Sequence, residues 1–289
     1  MIAQYLRLIR VHHWIKNFFV FVPLIFAQLL FETEYLEKVI LAFIAFSVVT
    51  SMIYVLNDLF DIENDRNHPR KKFRPLASGA ISKKTAVIVI AILFVLFLFL
   101  MQFFNWKFKV VLISYIALNI LYTVVLKHIV IVDLISISAG FMLRVIAGAY
   151  AINVSVSNWL ILTTLFLSLF LAVMKRRSEI TGVENDNETR KVLQSYSLGF
   201  IDQIATISAG AVMICYALYS VSDRTIEMFH TDKIIYTVIF VIFGIFRYMF
   251  LVYKKSQGEN AIEIMLTDIP MIVNVILYFA SITLIIYFT

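Results

Sequence analysis

Residues 57–79 read NDLFDIENDRNHPRKKFRPLASG, a dense polar block between two long apolar runs at residues 39–57 and 85–104. Within the block, Asp58, Asp61 and Asp65 follow Asn57 at spacings that bring all four side chains within roughly a 100° arc of a helix. The block therefore predicts one acidic helical face at the end of an apolar run.

Three carboxylates this close repel one another, and near a membrane that repulsion is costly unless a cation lies between them. Their hard oxygens suit Mg²⁺, which commonly bridges protein carboxylates to the phosphate oxygens of a substrate. Basic side chains suited to holding those phosphates follow at once: Arg66, His68, Arg70, Lys71, Lys72 and Arg74. We interpret the block as a Mg²⁺-diphosphate site, with an ordinary charged cytoplasmic loop as the alternative.

The composition is that of a polytopic membrane protein. The 289 residues are 61% hydrophobic and 15% charged, and the mean hydropathy of +0.89 excludes an ordinary soluble domain. Basic residues, which give a net charge of +6, lie mainly in short loops between apolar runs. That placement favours membrane lipids and anionic substrates, not nucleic acid, as partners. The single cysteine, Cys215, excludes an intramolecular disulfide.

Apolar runs of spanning length recur along the whole chain. We count nine, at residues 18–31, 39–57, 85–104, 108–126, 131–151, 158–174, 201–221, 233–253 and 269–288. With the amino terminus in the cytoplasm, the cytoplasmic segments hold 18 Lys and Arg residues and the outer loops hold five, a bias that fixes the topology with an odd number of spans. We therefore expect a single integral-membrane domain over residues 1–289, with the acidic block facing the cytoplasm.

Further polar residues follow the fourth and sixth runs. Tyr122, Lys127 and Asp133 lie at the predicted cytoplasmic edge, and Arg144 lies inside the next apolar run, where a charge usually faces a partner or a cavity. For Lys127, simple snorkelling to the interface is an equal alternative. After the sixth run, a cation pair and a carboxylate lie within one helical turn, at Lys175, Arg176 and Glu179. The alternative for these is the basic flank of a span, which we prefer for Arg177, Glu184, Asp186 and Glu188.

The block resembles the first aspartate-rich motif of the UbiA superfamily of intramembrane prenyltransferases, and is most similar to the decaprenyl-phosphate phosphoribosyltransferase branch. Other stretches resemble that branch in the same order: RVHHWIKNFFVFVPLIFA at 10–27, YTVVLKHIVIVD at 122–133, GFMLRVIAGAYA at 140–151, KRRSE at 175–179 with Arg190 and Tyr196 downstream, and GENAIEIMLTD at 258–268. The resemblance implies an all-α bundle of nine transmembrane helices around a central cavity open to the cytoplasm, in a bacterial-type inner membrane.

One departure from the family pattern bears on the substrate. Conventional members that prenylate aromatic rings carry a second aspartate-rich motif where this sequence has KRRSE. Extra cations there suit a donor with a further phosphate. The resemblance thus implies Mg²⁺-dependent transfer of 5-phosphoribose from phosphoribosyl pyrophosphate to a decaprenyl-type polyprenyl phosphate, with release of pyrophosphate, in cell wall biosynthesis. The alternatives are a conventional prenyltransferase acting on an aromatic acceptor, and a transporter or lipid scaffold.

The resulting hypothesis gives Asp58, Asp61 and Asp65 the catalytic and metal-binding roles. Lys16 and Asn17, with Arg10 nearby, are expected to hold the lipid phosphate. The other expected substrate contacts are Asn57, Arg66, His68, Lys71, Arg74, Tyr122, Lys127, Arg144, Lys175, Arg176, Glu179, Arg190 and Tyr196. The sequence sets neither the length of the isoprenoid nor the oligomeric state, and leaves a homo-oligomer open.

Overall fold

The computed structural model describes residues 2–69, 71–181, 195–255 and 267–288, and within these ranges all regular structure is helical. The α-helices are α1 (Ile2–Leu8), α2 (Val22–Phe26), α3 (Thr33–Phe60), α4 (Ile62–Asn67), α5 (Lys83–Leu100), α6 (Trp106–Val124), α7 (Val132–Ala151), α8 (Asn158–Thr181), α9 (Leu198–Ser220), α10 (Asp223–Phe229), α11 (Val238–Lys255) and α12 (Ile269–Phe288). Segments of 3-10 helix are Val11–Phe21, Lys71–Phe73, Met101–Phe103, Leu126–His128 and Lys233–Thr237. The all-α prediction is confirmed.

In the described ranges, eight helices are long and apolar enough to cross a membrane. They are Thr33–Phe60, Lys83–Phe103, Trp106–Val124, Val132–Ala151, Asn158–Thr181, Leu198–Ser220, Lys233–Lys254 and Ile269–Ile286. These coincide with eight of the nine predicted runs. The protein is therefore an integral membrane protein, because the exposed side chains of these apolar helices require the hydrocarbon core of a membrane around them.

The first predicted run, residues 18–31, does not form a long α-helix. Its residues belong to the 3-10 helix Val11–Phe21 and to α2, which has Pro23 in its first turn. A 3-10 helix rises about 2.0 Å per residue and an α-helix about 1.5 Å, so a straight run over Val11–Phe26 would extend about 30 Å. That length approaches the thickness of the hydrocarbon core. The count of nine spans is not confirmed and stays a prediction.

Two compact units make up the chain. Unit one comprises residues 1–125 and 143–155, and unit two comprises residues 126–142 and 156–289. Helix α7 contributes Val132–Met142 to unit two and Leu143–Ala151 to unit one. Whether both units form one functional domain, as the sequence predicts, stays a prediction.

Unit one is organised around α3. Most of this helix between residues 39 and 56 is apolar, and 67% of its most apolar stretch is buried, more than in any other spanning helix of the described residues. Its Phe46 packs against Phe108 and Tyr115 of α6. Helix α7 approaches the 3-10 helix so closely that a Cβ on Gly148 would lie 2.0 Å from the carbonyl oxygen of Val20. Only glycine permits this backbone contact.

The core of unit two joins α8, α9 and α11. Its fully buried side chains include Phe170, Met174, Ile201 and Leu251. The Phe170 ring meets the Tyr248 ring edge to face, with 5.7 Å between the ring centroids. The start of α9 is fixed by Ser197, whose hydroxyl accepts a hydrogen bond from the Phe200 N–H at 3.2 Å. This cap satisfies one of the N–H groups that have no partner within the helix at the start of α9.

Candidate active site

The acidic residues stay on one helical path where α3 gives way to α4. Asp61 lies between the two helices, yet its N–H donates to the Asn57 carbonyl at 2.9 Å and its own carbonyl accepts from the Asp65 N–H at 2.8 Å. Both bonds have the four-residue spacing of an α-helix. The turn is therefore preserved through the junction, and Asp58 and Asp65 stay two turns apart on one side.

Asp58 and Asp65 converge on a single guanidinium. Arg74 Nη1 lies 3.2 Å from Asp58 Oδ1 and 2.7 Å from Asp65 Oδ2. A second guanidinium, that of Arg10, donates to the same Asp58 oxygen at 2.5 Å. The two aspartates are only 2% and 3% exposed. Buried carboxylates need such partners, because removing a charge from water without a counter-charge is costly.

Asp61 differs from its two neighbours. It is half-buried, and among the described residues its carboxylate makes no ion pair. Asn57 donates from Nδ2 to Thr123 Oγ1 at 3.2 Å. Across the described part of the chain, no group of three or more His, Cys, Asp or Glu residues is arranged to hold a metal ion. The three carboxylates are therefore not gathered as a ready-made metal cage, and the physical reason is that Arg74 lies between two of them.

The donor chemistry nevertheless fits a divalent cation. Asp58 and Asp65 already share one positively charged group, which shows that both carboxylates reach a common point. Their oxygens are hard ligands of the kind Mg²⁺ prefers, and Mg²⁺ commonly binds one or two carboxylates together with substrate phosphates. Asp58 and Asp65 are the residues that would hold the ion.

The amino-terminal segment runs along α3 through a row of polar contacts that ends at Asp58. The pairs are Arg10 with Asp58, His13 with Tyr54 at 3.3 Å, Trp14 with Ser51 at 3.0 Å, and Asn17 with Ser47 at 3.1 Å. This row was not predicted from the sequence. The signal was available: the polar residues of the apolar run at 39–57 recur at helical spacing, matched in reverse order by those of RVHHWIKN.

Asn17 is fully buried and joins three elements. Its Oδ1 accepts from Arg144 Nε at 2.8 Å, while its Nδ2 donates to Ser47. Arg144 Nη2 also donates to the Tyr115 hydroxyl at 2.7 Å. Asn17 and Arg144 therefore hold the amino-terminal segment in place, and in this conformation neither side chain offers a surface to a lipid phosphate. Lys16, the neighbouring candidate, is half-buried.

Three other basic residues of the block are more accessible to solvent than Asp58 and Asp65: Arg66, His68 and Lys71. Arg66 donates from Nε to the Ala77 carbonyl at 3.3 Å, and its Nη1 lies 3.5 Å from Glu63. His68 accepts from the Lys71 N–H at 3.4 Å. The turn after Arg74 ends at Gly79, whose φ of +78° suits glycine. Arg70 lies outside the described residues.

Unit two holds a second charged cluster, centred on Asp133 at the start of α7. Asp133 is fully buried, accepting from the Tyr196 hydroxyl at 2.6 Å and from Arg176 Nε at 3.1 Å. Arg176 Nη1 also pairs with Glu179. The guanidinium of Arg176 thus holds two carboxylates and is 3% exposed. Sequence reasoning expected it to bind donor phosphate, whereas the structure places it inside this network.

Tyr196 also fixes a strained backbone. Ile131 has φ of +71°, a region that β-branched residues rarely adopt, and its N–H donates to the Tyr196 hydroxyl at 2.6 Å. Burial, together with the hydrogen bond to Asp133, raises the pKa of Tyr196 well above its ordinary value. The hydroxyl therefore stays protonated and keeps donating to Asp133 while it accepts from Ile131.

The remaining candidates differ in exposure and contacts. Lys175 is 55% exposed and its Nζ lies 3.8 Å from Glu179. Tyr122 in unit one and Lys127 in unit two are half-buried. Arg190 lies outside the described residues. Arg177, interpreted as a basic flank, instead donates to Asp202 at 2.7 Å with its guanidinium carbon 3.8 Å from the centre of the Tyr253 ring, which joins α8, α9 and α11.

Comparison with known proteins identifies the family. The model of the UbiA prenyltransferase family matches residues 18–269. This chain belongs to that family. The "Decaprenyl-phosphate phosphoribosyltransferase" of Mycolicibacterium smegmatis is 34% identical over 238 residues, 80% of this chain and 75% of the relative. The protein of the same name from Corynebacterium glutamicum is 35% identical over 219 residues, 74% of this chain and 66% of the relative.

Solved structures of UbiA proteins share the fold. A UbiA homologue from Archaeoglobus fulgidus, bound to GPP and Mg²⁺, aligns with a TM-score of 0.69 at 18% identity over 98% of this chain and 99% of its own. A structure from a study of digeranylgeranylglyceryl phosphate synthase aligns with a TM-score of 0.66 at 22% identity, over 97% of each chain. The predicted membership of the UbiA superfamily, and with it a membrane-embedded transferase, is confirmed.

Proposed function

We propose that this UbiA protein transfers 5-phosphoribose from phosphoribosyl pyrophosphate to a polyprenyl phosphate at the cytoplasmic face of a bacterial-type inner membrane. The observation that carries the reaction type is the convergence of two buried carboxylates, Asp58 and Asp65, on the guanidinium of Arg74. This combination suits a phosphorylated donor that arrives with a divalent cation, because the carboxylates can bind the cation and the guanidinium can bind the phosphate. The choice of donor is supported by relatives named for phosphoribosyl transfer.

In the proposed step, an oxygen of the lipid phosphate forms a bond to C1 of the ribose as the bond from C1 to the pyrophosphate oxygen breaks. The acceptor phosphate is already anionic, so no general base has to remove a proton. Mg²⁺, when bound, withdraws negative charge from the leaving pyrophosphate. The work left to the protein is to position two anions and to stabilise the charge that develops on the leaving group.

Residues of unit one bind the cation, the donor and the lipid phosphate in this proposal. Asp58 and Asp65 hold the cation, and Arg74 contacts the pyrophosphate oxygens. Lys16 remains the candidate for the lipid phosphate, because it is next to Asn17, whose bonds to Ser47 and Arg144 fix the segment. Asn17 and Arg144 are therefore positioning residues. The roles of Lys127 and Lys175 in donor binding stay predictions.

A specific observation favours a second function. Solved structures with the same fold include one bound to GPP, so a conventional prenyl diphosphate donor is the alternative. Against it, the chain lacks the second aspartate-rich stretch of ring-prenylating members and has KRRSE in its place.

Purified protein supplied with each donor in parallel separates the two functions. We expect pyrophosphate release from phosphoribosyl pyrophosphate only when polyprenyl phosphate and Mg²⁺ are both present. Release from geranyl diphosphate with an aromatic acceptor, and none from the sugar donor, would favour the alternative. A transporter or lipid scaffold releases no pyrophosphate in either mixture.

A further inference from the structure

The position of Arg74 suggests how the proposed metal site behaves before any substrate arrives. One nitrogen of Arg74 contacts both Asp58 and Asp65, and Arg10 contacts Asp58 as well. Together with Asp61, these five side chains carry three negative and two positive charges. Most of the charge that would attract a cation is therefore already balanced by the protein itself.

A divalent cation that enters alone meets an unfavourable field. To reach both carboxylates, the cation has to take the place of Arg74 Nη1. The displaced guanidinium remains attached to the same backbone position, so its positive charge stays close to the cation. Arg10 adds a second positive charge beside the same oxygen of Asp58. In a partly buried site these repulsions are screened less than in water.

A diphosphate reverses that balance. Its oxygens are acceptors for guanidinium groups, so an Arg74 released from the carboxylates gains a bidentate partner. The side chain of Arg74 is 30% exposed, whereas that of Asp58 is 2% exposed. Arg74 therefore has room to turn toward an incoming anion, while the carboxylate stays fixed.

We propose that Arg74 is a resident counter-ion of Asp58 and Asp65, which makes binding of a divalent cation conditional on a diphosphate. The inference rests on the proposed function only in assigning the cation to these two aspartates. It applies equally to a sugar or a prenyl donor, because both carry a diphosphate. By linkage, the cation and the diphosphate each raise the affinity for the other by the same factor.

The test measures metal binding, not catalysis. Full-length protein in detergent is titrated with Mn²⁺ as a probe for Mg²⁺, with and without saturating inorganic pyrophosphate, and bound metal is followed by electron paramagnetic resonance. Free Mn²⁺ is corrected for the complex that it forms with pyrophosphate in solution. For the wild type we expect pyrophosphate to lower the Mn²⁺ dissociation constant at least tenfold.

The Arg74→Gln variant tests the counter-ion directly. Its dissociation constant for Mn²⁺ alone should fall at least fivefold below that of the wild type, and the gain from pyrophosphate should shrink to less than threefold. Lys83→Gln removes the same charge from an exposed position at the start of α5, and should behave as the wild type. Unchanged or weaker binding of Mn²⁺ alone by Arg74→Gln would overturn the proposal.

Loss of Arg74 leaves two buried carboxylates without their shared partner, so the variant is checked by thermal unfolding. If Arg74→Gln does not fold, Arg74→Lys decides the question, because lysine keeps the positive charge but its shorter side chain holds the two carboxylates less closely than Arg74 Nη1 does. It should bind Mn²⁺ alone more tightly than the wild type, and equal or weaker binding would contradict the proposal. Failure of the wild type to bind Mn²⁺ even with pyrophosphate would instead count against the metal assignment in the proposed function.

Discussion

Asp58 carries the largest share of the proposed chemistry for a single side chain. It lies at the end of the most deeply buried helix, is 2% exposed and accepts hydrogen bonds from two arginines. When Arg74 turns to the diphosphate, the hydrogen bond from Arg10 still holds this carboxylate. A fixed charge of this kind contributes to catalysis because it needs no rearrangement during the reaction.

The Asp58→Asn variant keeps the shape of the side chain and removes its charge. We expect turnover with phosphoribosyl pyrophosphate to fall by about 100-fold or more, the range seen when a preorganised electrostatic contact is lost. Glu63→Gln is the control, since Glu63 is 76% exposed and its ion pair among the described residues is with the exposed Arg66. Release of labelled pyrophosphate is the readout, and full turnover by Asp58→Asn at saturating Mg²⁺ would remove the assignment.

Tyr196 is predicted to stabilise unit two through one hydroxyl. The Tyr196→Phe change leaves the Ile131 N–H and one oxygen of Asp133 without their partner, which should cost about 1–3 kcal/mol. Ile131→Gly should offset part of this loss, because glycine adopts φ of +71° without strain. Thermal unfolding in detergent measures both variants and their combination. Tyr236→Phe, at a position 73% exposed, is the control, and a Tyr196→Phe variant as stable as this control would contradict the role.

At the scale of elements, the amino-terminal segment is the least predictable part of the fold. It forms a 3-10 helix that lies against α3 through polar pairs and against α7 through a backbone contact at Gly148. Hydropathy detects none of this, because it registers how apolar a run is and not which residues it pairs with. The sequence signal for the pairing is the helical spacing of the polar residues on α3, which a hydropathy profile does not register.

Gly148→Ala should separate the 3-10 helix from α7. The added Cβ would lie 2.0 Å from the Val20 carbonyl oxygen, which is backbone and cannot rotate away. We expect a loss of about 1–3 kcal/mol in unfolding free energy, as for overpacking in a close-packed core. Gly210→Ala is a matched control on α9, where a Cβ meets nothing within 4 Å, and it should be neutral or stabilising. Equal melting temperatures for the two variants would show that the close approach is absent.

At the scale of the whole molecule, the sequence predicts the class of fold well. Eight of nine apolar runs coincide with spanning helices, since each run must satisfy its own backbone in lipid and can do so only as a helix. The site is less predictable. The helical spacing of Asp58, Asp61 and Asp65 is readable, but the insertion of Arg74 between two of them depends on a turn sixteen residues later.

Arg176 is a second residue whose main contact is distant in sequence. Its position after the sixth run predicts a contact with the donor phosphates, which stays a prediction, and does not indicate the buried ion pair with Asp133, 43 residues earlier in the chain. A local pattern cannot reveal that pairing. Arg177 likewise reads as a basic flank, whereas Asp202 and Tyr253 give it a role in joining three helices.

Orientation in the membrane is the prediction that belongs to the whole chain. Single cysteines are placed at Lys83 and at Lys107, both exposed, in a background with the buried Cys215 replaced by alanine. A membrane-impermeant maleimide should label Lys107→Cys in intact cells and Lys83→Cys only in inverted vesicles, because basic loops stay in the cytoplasm. The opposite pattern would place the acidic block on the outer face.

The central claim is most directly tested by the identity of the lipid product. Purified protein is incubated with Mg²⁺, polyprenyl phosphate and phosphoribosyl pyrophosphate labelled in the ribose, and the extracted lipid is analysed by mass spectrometry. The account predicts a polyprenyl phosphate heavier by one phosphoribosyl group, formed by the wild type and lost in Asp58→Asn. A lipid fraction with no label, while a prenylated acceptor forms from a prenyl diphosphate, would contradict it.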